Sequence, residues 1–474
     1  MIFNSATFFV FFIIFFLLYW LINNNLTIKF RNLFIIFSSY LFYGWWDWKF
    51  LSLIIISSFT DFIIGLQLNK STKLRNRRLL LISSLTINLS ILGFFKYFNF
   101  FAESLSDLMN LFSVTLNSNT LKIILPVGIS FYTFQTLSYT IDIYKKKIAP
   151  TKDVIFFFAF VSFFPQLVAG PIERASHLLN QFHDKKTFNY NINIEGLRLI
   201  LWGFFKKIVI ADNFGVLADN IFNIDTNLSG LTLLFGAIFF AFQIYADFSG
   251  YSDIAIGISK MLGFDLMQNF KTPYFSKSFS DFWRRWHISL STWFRDYVYI
   301  PLGGNKGKKI QVQLNILITF LLSGLWHGAG TTFLIWGGLH GLLLIIEKQI
   351  NFKLNKLFYS PFVLICVILL WIPFRSENLS NLIEYSSSLL TFSSYSFNQL
   401  KQIIFDFSAI RFLVLGILSV FFLFIEYFIN SKDFNTWIKE KPRIIRITLY
   451  YALVFAIVFI GNFTVKPNFI YFQF

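Results

Sequence analysis

Residues 310–346 contain no Asp, Glu, Lys or Arg. Two apolar runs, 310–325 and 331–346, make up most of this stretch, and similar runs recur from residue 7 to residue 460. Charged residues form only 14% of the chain, against about 25% in soluble domains. A chain with this pattern can bury its apolar surface only in a membrane, so the sequence predicts an integral membrane protein.

Several apolar runs, such as 154–168 and 362–372, are shorter than the roughly 20 residues that a full membrane-spanning helix needs. Such short runs are typical of helices that are tilted, that enter the membrane only part of the way or that are buried inside protein. We therefore predict an all-α, polytopic membrane protein with about 11–14 membrane helices. Some of these would be re-entrant, half-spanning or interfacial helices around a central chamber.

The net charge of +17 is explained by membrane topology. Lys29 and Arg31, the basic residues between 70 and 78, and the lysines at 145–147 fall in alternate loops, whereas residues 101–120 contain no Lys or Arg. Basic loops face the cytoplasm, which predicts that the amino terminus lies outside. We expect membrane lipids as partners of the basic residues and no binding of nucleic acid.

The content of cysteine and histidine limits the possible chemistry. Cys366 is the only cysteine, which excludes intrachain disulfides and cysteine metal clusters. Its apolar neighbours favour an inert packing thiol over a covalent thioester intermediate. The five histidines lack metal-like spacing, and neither G-x-S-x-G nor H-E-x-x-H occurs. The sequence therefore indicates no metal site.

All five histidines lie between residues 151 and 348. We interpret residues 1–474 as a single integral-membrane domain with three regions of different composition. Residues 1–150 form N-terminal helices, residues 151–348 a core that mixes polar and apolar side chains, and residues 349–474 C-terminal helices. The chemistry is expected in the core.

His327 lies in the middle of the uncharged stretch, between Trp326 and Gly328. An ionisable side chain at that depth is costly and suggests a functional site. Gly328 and Gly330 break the helix and leave space beside the ring. Burial disfavours the charged form, and a neutral imidazole can act as a general base. The alternative is a structural histidine bonded to a carbonyl, and His340 is expected to be a packing or gating residue.

Residues 281–296 have the periodicity of one amphipathic helix at the membrane interface. Its aromatic face carries His287 at one edge, and its arginines lie on the opposite face. The side chains could contact lipid phosphates or, alternatively, an acyl donor. The candidates for such contacts are Trp283, Arg284, Trp286, Arg295 and Asp296.

Two further segments place polar residues within apolar runs. Residues 165–174 predict a break in a helix at membrane depth, which is tolerated only where protein or a water-filled cavity covers the backbone. Residues 246–253 include Asp247 and Asp253, which either cap a broken helix or line a polar cavity. The turn 299–309 lacks the spacing of a phosphate-binding loop, so it would meet lipid headgroups or the phosphates of a donor. Together with His327, the breaks predict an intramembrane chamber.

Residues 165–174, 281–305 and 322–329, together with the ending 467–474, resemble the membrane-bound O-acyltransferase family, in particular its bacterial alginate and peptidoglycan O-acetyltransferases. The resemblance covers nearly the whole chain. It implies that His327 is the essential histidine and that His287 is a second functional histidine. Trp326, next to His327, is a further candidate for binding the substrate or donor.

The resemblance also implies a reaction and a location. The protein would take an acetyl group from a cytoplasmic thioester, acetyl-CoA or another acyl donor, without a bound cofactor. It would pass this group across a bacterial inner membrane to a hydroxyl of an envelope or extracellular polysaccharide. An extracytoplasmic acetyltransferase or polysaccharide-delivery protein is the implied partner.

Two other functions stay open. One is D-alanyl transfer to teichoic acid, which would use a carrier-protein donor. The other is transport of a lipid-linked sugar, which paired charges along a substrate path would support. We expect few such ion pairs, because the core is richer in histidines and tryptophans.

Overall fold

The computed structural model describes residues 1–113, 121, 123–223, 228–350, 356–391, 395–430 and 432–463. Within these residues the chain is helical and contains no β-strand, which confirms the predicted all-α class. The ending 467–474, one part of the family resemblance, lies outside the described residues.

The α-helices in chain order are α1 Ala6–Asn25, α2 Ile28–Asp47, α3 Leu51–Lys70, α4 Leu74–Leu92, α5 Phe98–Leu111, α6 Ile129–Tyr144, α7 Val154–Ser162, α8 Phe164–Leu167, α9 Ala175–Leu178, α10 Tyr190–Phe204, α11 Asp212–Phe222, α12 Gly230–Met261, α13 Phe279–Arg285, α14 Ile288–Phe294, α15 Lys309–His327, α16 Thr331–Ile350, α17 Lys356–Arg375, α18 Leu379–Leu390, α19 Asn398–Phe407, α20 Ala409–Ile429, α21 Phe434–Lys439 and α22 Arg443–Ile460. Three π-helical segments, Gly93–Tyr97, Phe205–Ala211 and Arg295–Tyr299, continue α4, α10 and α14.

Nine stretches of the described helices are long and apolar enough to cross a membrane. Two of them, Ile28–Lys70 and Leu74–Leu111, contain two consecutive α-helices each. The others lie in α1, α12, α15, α16, α17, α20 and α22. The chain is therefore a multi-pass membrane protein.

The chain divides into two compact units. The first comprises Met1–Gly196 and Ala255–Met267, and the second comprises Leu197–Ile254 and Gln268–Phe474. The predicted single domain with three regions remains a prediction. Both candidate catalytic histidines, His287 and His327, belong to the second unit.

In the first unit, buried polar side chains bind one another between helices. The carboxylate of Asp61 on α3 accepts hydrogen bonds from Ser84 and Asn88 on α4 and from Thr140 on α6. A buried carboxylate is costly without such donors. The cluster therefore holds these three helices in one register.

The predicted break at 165–174 is confirmed, because α8 ends at Leu167 and residues 168–174 are not helical. Glu173 fixes this segment by contacting His177 Nδ1 at 2.7 Å and by accepting a hydrogen bond from the Met267 amide. The contacts of His177 with Asp265 and Glu173 raise the pKa of its imidazole to about 10. His177 is thus a charged, structural histidine at neutral pH.

The broken helix predicted at 246–253 is wrong, because α12 continues unbroken through these residues. Asp247 pairs with Lys207 at 2.9 Å and Asp253 pairs with Lys206 at 2.6 Å, so neither carboxylate caps a helix. A Cβ atom on Gly250 would come within 2.7 Å of the Gly203 carbonyl oxygen. Gly250 therefore allows α10 and α12 to approach each other closely, and it does not end a helix.

The single interfacial helix predicted at 281–296 is also wrong. The helix α13 ends at Arg285 and α14 begins at Ile288, because His287 adopts a left-handed conformation with φ of 42°. The amide of Ile288 donates to the Asn269 carbonyl at 2.9 Å, which stabilises the turn. Trp286 and His287 are 1% and 0% exposed. The segment thus directs His287 into the interior of the protein.

Candidate active site

Four polar side chains recur at every fourth residue along α15. Asn315, Thr319, Ser323 and His327 are all buried, and a spacing of four places them on one face of a helix. Thr319 Oγ1 donates to the Asn315 carbonyl at 2.6 Å. His327 ends both this polar face and the helix. Thr319 and Ser323 were not among the predicted site residues, although their spacing from His327 is visible in the sequence.

Glycines bring α15 and α16 close together beside His327. A Cβ atom on Gly324 would lie 2.2 Å from the Phe333 carbonyl oxygen, and one on Gly337 would lie 2.3 Å from that of Phe320. Neither position could hold a larger residue without separating the helices. Gly328 caps α15, so the glycine break predicted after His327 is confirmed.

The two candidate catalytic histidines lie next to each other. Their ring centroids are 6.3 Å apart, and His327 is 3% exposed. The ring of Trp326 lies 5.8 Å from His287 and 5.1 Å from His327. Further aromatic rings that contact one of the two histidines are those of Phe248, Trp336 and Phe374.

This pair has the groups that acyl transfer to a hydroxyl requires. A neutral imidazole carries one hydrogen-bond donor and one acceptor. One ring can therefore remove the proton of a hydroxyl, while a second donor stabilises the oxyanion that forms on the attacked carbonyl. The aromatic side chains around the pair keep bulk water out, which strengthens both interactions.

A cavity of about 740 Å³ lies beside the polar face of α15. It contacts Thr319 and Ser323, and Ser323 is one helical turn from His327. At the opposite end it is lined by Asn305 and Lys348, which are hydrogen-bonded to each other at 3.1 Å. The remaining lining residues are Ser280, Trp283, Arg284, Ile288, Ser291, Thr292, Phe294, Arg295, Tyr299, Ile316, Phe320, Leu344 and Glu347.

Comparison with known proteins identifies this architecture. Residues 145–372 match the membrane-bound O-acyltransferase family. A Pseudomonas putida protein named "probable alginate O-acetylase" is 38% identical over 450 residues, which cover 94% of this chain and 90% of that protein. The chain belongs to the membrane-bound O-acyltransferase family. The predicted family and enzyme class are therefore confirmed.

Two other relatives differ in how much of this acyltransferase they match. The peptidoglycan O-acetyltransferase of Helicobacter pylori is 33% identical, and the match covers 90% of both chains. The teichoic acid D-alanyltransferase of Streptococcus thermophilus is 28% identical over 50% of this chain and 61% of its own. The similarity to O-acetyltransferases thus extends through regions that the match to the D-alanyltransferase does not cover.

The structure places the predicted donor-binding residues of this acyltransferase in different surroundings. Trp283, Arg284 and Arg295 line the cavity. Asp296 forms an ion pair with Arg295 at 2.7 Å. Trp286 is buried against Trp371, with ring centroids 4.8 Å apart, and is not among the lining residues.

Asp247 and Asp253 belong to a separate group of buried ion pairs. Lys207 Nζ lies 2.7 Å from Asp212 and 2.9 Å from Asp247, while Lys206 pairs with Asp253. None of these residues lines the cavity described above. The core therefore contains buried ion pairs, while the expectation of few paired charges along a substrate path stays a prediction.

A local irregularity explains why these pairs were missed. Both lysines lie in the π-helical segment Phe205–Ala211, and π-helical turns are rare and often occur at functional sites. The sequence there, Phe-Lys-Lys-Ile-Val-Ile-Ala, has no feature that distinguishes a π-helix from an α-helix. The pairs bind one another inside the helical packing, and membership of an enzyme family argues against a transport path.

Proposed function

We propose that this acyltransferase moves an acetyl group from a cytoplasmic thioester across the membrane for O-acetylation of a cell-envelope or extracellular polysaccharide, of the alginate or peptidoglycan type. The main support for this proposal is the extent of the cavity. The cavity begins at Asn305 and Lys348 and reaches Ser323, one turn from His327. It provides a path along which an acyl chain could approach the histidine pair.

The lining of the cavity suits a phosphate-bearing donor. Arg284, Arg295 and Lys348 supply positive charge, and guanidinium groups are well suited to bind phosphates. The basic turn with Lys306, Lys308 and Lys309 follows Asn305 directly. We infer that acetyl-CoA or another acyl thioester enters as a substrate from this side, with no resident cofactor.

In the proposed mechanism, His327 accepts the proton of the acceptor hydroxyl as its oxygen attacks the thioester carbonyl. A carbon–oxygen bond forms and the carbon–sulfur bond breaks. The proton then passes from His327 to the departing thiolate, so the imidazole is neutral again after each turnover. His287 donates a hydrogen bond to the oxyanion of the intermediate.

The choice of acceptor is supported by the relatives. The two acetyltransferases named above act, by their names, on alginate and on peptidoglycan, and each match covers 90% or more of this chain. Both polymers carry free hydroxyls outside the cytoplasmic membrane. D-alanyl transfer has weaker support, because that match covers half of this chain.

The proposal also states in which membrane the protein lies and which kind of partner protein it needs. The relatives are bacterial, and basic loops face the cytoplasm, which supports an inner-membrane protein with its amino terminus outside. Because the histidine pair is buried, a large polymer cannot itself reach it. We therefore propose that the acceptor hydroxyl at His327 belongs to an extracytoplasmic acetyltransferase or delivery protein, which carries the acetyl group onward to the polymer.

Deletion of the protein should remove acetyl esters from one envelope or secreted polymer, and its return should restore them. The measurement is the ester content of the peptidoglycan and of the exopolysaccharide by mass spectrometry. Unchanged acetyl content in both polymers would contradict the proposal. Loss of D-alanyl esters instead would establish the alternative function.

A further inference from the structure

The turn between α13 and α14 is joined on both sides to residues 269–271, which we name the bracing segment. Before the turn, the amide of Lys271 donates a hydrogen bond to the Arg285 carbonyl at 3.0 Å. After the turn, the amide of Ile288 donates to the Asn269 carbonyl at 2.9 Å. The turn and its histidine therefore lie between two backbone hydrogen bonds to the same segment.

The side chain of Asn269 connects the bracing segment to two helices. Its Nδ2 donates to Ser252 Oγ on α12 at 3.1 Å, and its Oδ1 accepts a hydrogen bond from Ser289 Oγ on α14 at 2.6 Å. All three side chains are completely or almost completely buried. A buried carboxamide without partners would be costly, so these bonds fix Asn269 between α12 and the residue that lies two positions after His287.

The backbone of His287 needs such support. Its φ of 42° lies in the left-handed region, which costs free energy for any residue other than glycine and persists only where the surroundings enforce it. The periodicity of residues 281–296 favours a continuous right-handed helix instead. If the turn relaxed toward that helix, the imidazole would leave its place beside His327.

Two phenylalanine rings also contact the imidazole of His287. Phe248 on α12 lies 4.6 Å from it, and Phe270 of the bracing segment lies 6.5 Å from it, with ring centroids as reference points. Apolar contacts of this kind are non-directional, whereas hydrogen bonds depend on distance and angle. The direction in which the imidazole points therefore depends on the hydrogen bonds of Asn269.

We propose that Asn269 is a positioning residue for His287, an inference that rests on the proposed function, in which His287 donates a hydrogen bond to the oxyanion. A donor to an oxyanion is effective because it is held in place before the reaction begins. A displacement of about 1 Å can lower the rate by about 10²-fold. Asn269 would prevent this displacement through the backbone of the turn, without contacting the reacting atoms.

The first test is Asn269→Ala, which removes the carboxamide but keeps the backbone carbonyl that binds Ile288. Acetyl-ester formation from acetyl-CoA is measured in inverted membrane vesicles that retain the native acceptor. We expect kcat per amount of folded protein to fall about 10–100-fold. The KM for acetyl-CoA should stay unchanged, because the substitution alters the donor to the oxyanion and no donor-binding contact.

The second test places Asn269→Ala in a His287→Ala protein. Residues that act through one another have non-additive effects, so the second substitution should lower the remaining kcat by less than about twofold, because no imidazole is left to position. A general structural role of Asn269 would instead lower kcat by the same factor in both proteins.

Asn213→Ala is the matched control. Asn213 is also a completely buried asparagine of the second unit, and its Nδ2 donates to the carbonyls of Val209 and Ile460. This substitution should leave kcat per folded protein unchanged. If Asn269→Ala does not fold, Ser289→Ala removes one hydrogen bond of the same carboxamide. It should lower kcat in the same direction, and again only when His287 is present.

The outcomes separate this inference from the proposed function. If the wild-type protein forms acetyl esters but Asn269→Ala leaves kcat unchanged, or lowers it equally with and without His287, the inference is overturned and the proposed function stands. A His287→Ala protein with the wild-type kcat would overturn the role of His287 and this inference with it. Absence of acetyl transfer by the wild-type protein would refute the proposed function itself.

Discussion

Replacing His327 by glutamine should lower acetyl transfer by about 10²–10⁴-fold, the usual contribution of a general base. Glutamine is close to histidine in size and can hydrogen-bond, but it cannot accept a proton at neutral pH. The side chain lies at the end of α15 beside a glycine turn, so the fold should tolerate the change. The measurement is the initial rate of acetyl-ester formation in membranes with equal amounts of protein.

His183→Gln is the control for this change, because His183 is an exposed histidine of the first unit. It should retain the wild-type rate. A His327→Gln protein that is inserted and folded but transfers acetyl at more than about a tenth of the wild-type rate would be incompatible with a general base at this position.

Replacing Lys207 by methionine should destabilise the protein by about 3–5 kcal/mol, the typical effect of removing one partner of a buried ion pair. The ammonium group of Lys207 lies between Asp212 and Asp247, and all three side chains are at most 6% exposed. Without it, two carboxylates face each other in a buried site. The free energy of unfolding in detergent, measured with a chemical denaturant, tests this prediction.

Lys432→Met is the matched control, since Lys432 pairs with Glu440 where both side chains are exposed. Its effect should be about 0–1 kcal/mol. Adding Asp247→Asn to Lys207→Met should recover part of the lost stability, because one of the two opposed charges is removed. Similar effects of the two lysine substitutions would show that the buried pairs do not stabilise this protein.

The features that were predicted from the sequence depend on composition and on short local patterns. Apolar runs without charge predict membrane helices, and two glycines as close together as 328 and 330 favour the end of a helix. The apolar runs on both sides of His327 predict that this residue lies deep in the membrane. Its proximity to His287 was implied only by the family resemblance, because no local pattern connects residues forty positions apart.

The features that were missed depend on tertiary structure. The left-handed backbone of His287 is stabilised by a hydrogen bond from Ile288 to Asn269, and no periodicity reveals such a contact. The helical periodicity of residues 281–296 therefore predicted one continuous helix where the structure has a turn between α13 and α14. In α12, Asp247 and Asp253 resembled capping residues because their lysine partners are distant in sequence.

The proposed mechanism requires the donor to reach the histidine pair from the cytoplasmic side of the membrane, and this can be measured directly. Inverted and right-side-out membrane vesicles would be given labelled acetyl-CoA, which does not cross membranes, and label in acetyl esters would be counted. The cavity borders the basic turn, for which we propose a cytoplasmic location because basic loops face the cytoplasm, so inverted vesicles should incorporate label and right-side-out vesicles should not. Equal incorporation in both, or incorporation only in right-side-out vesicles, would contradict donor entry through this cavity.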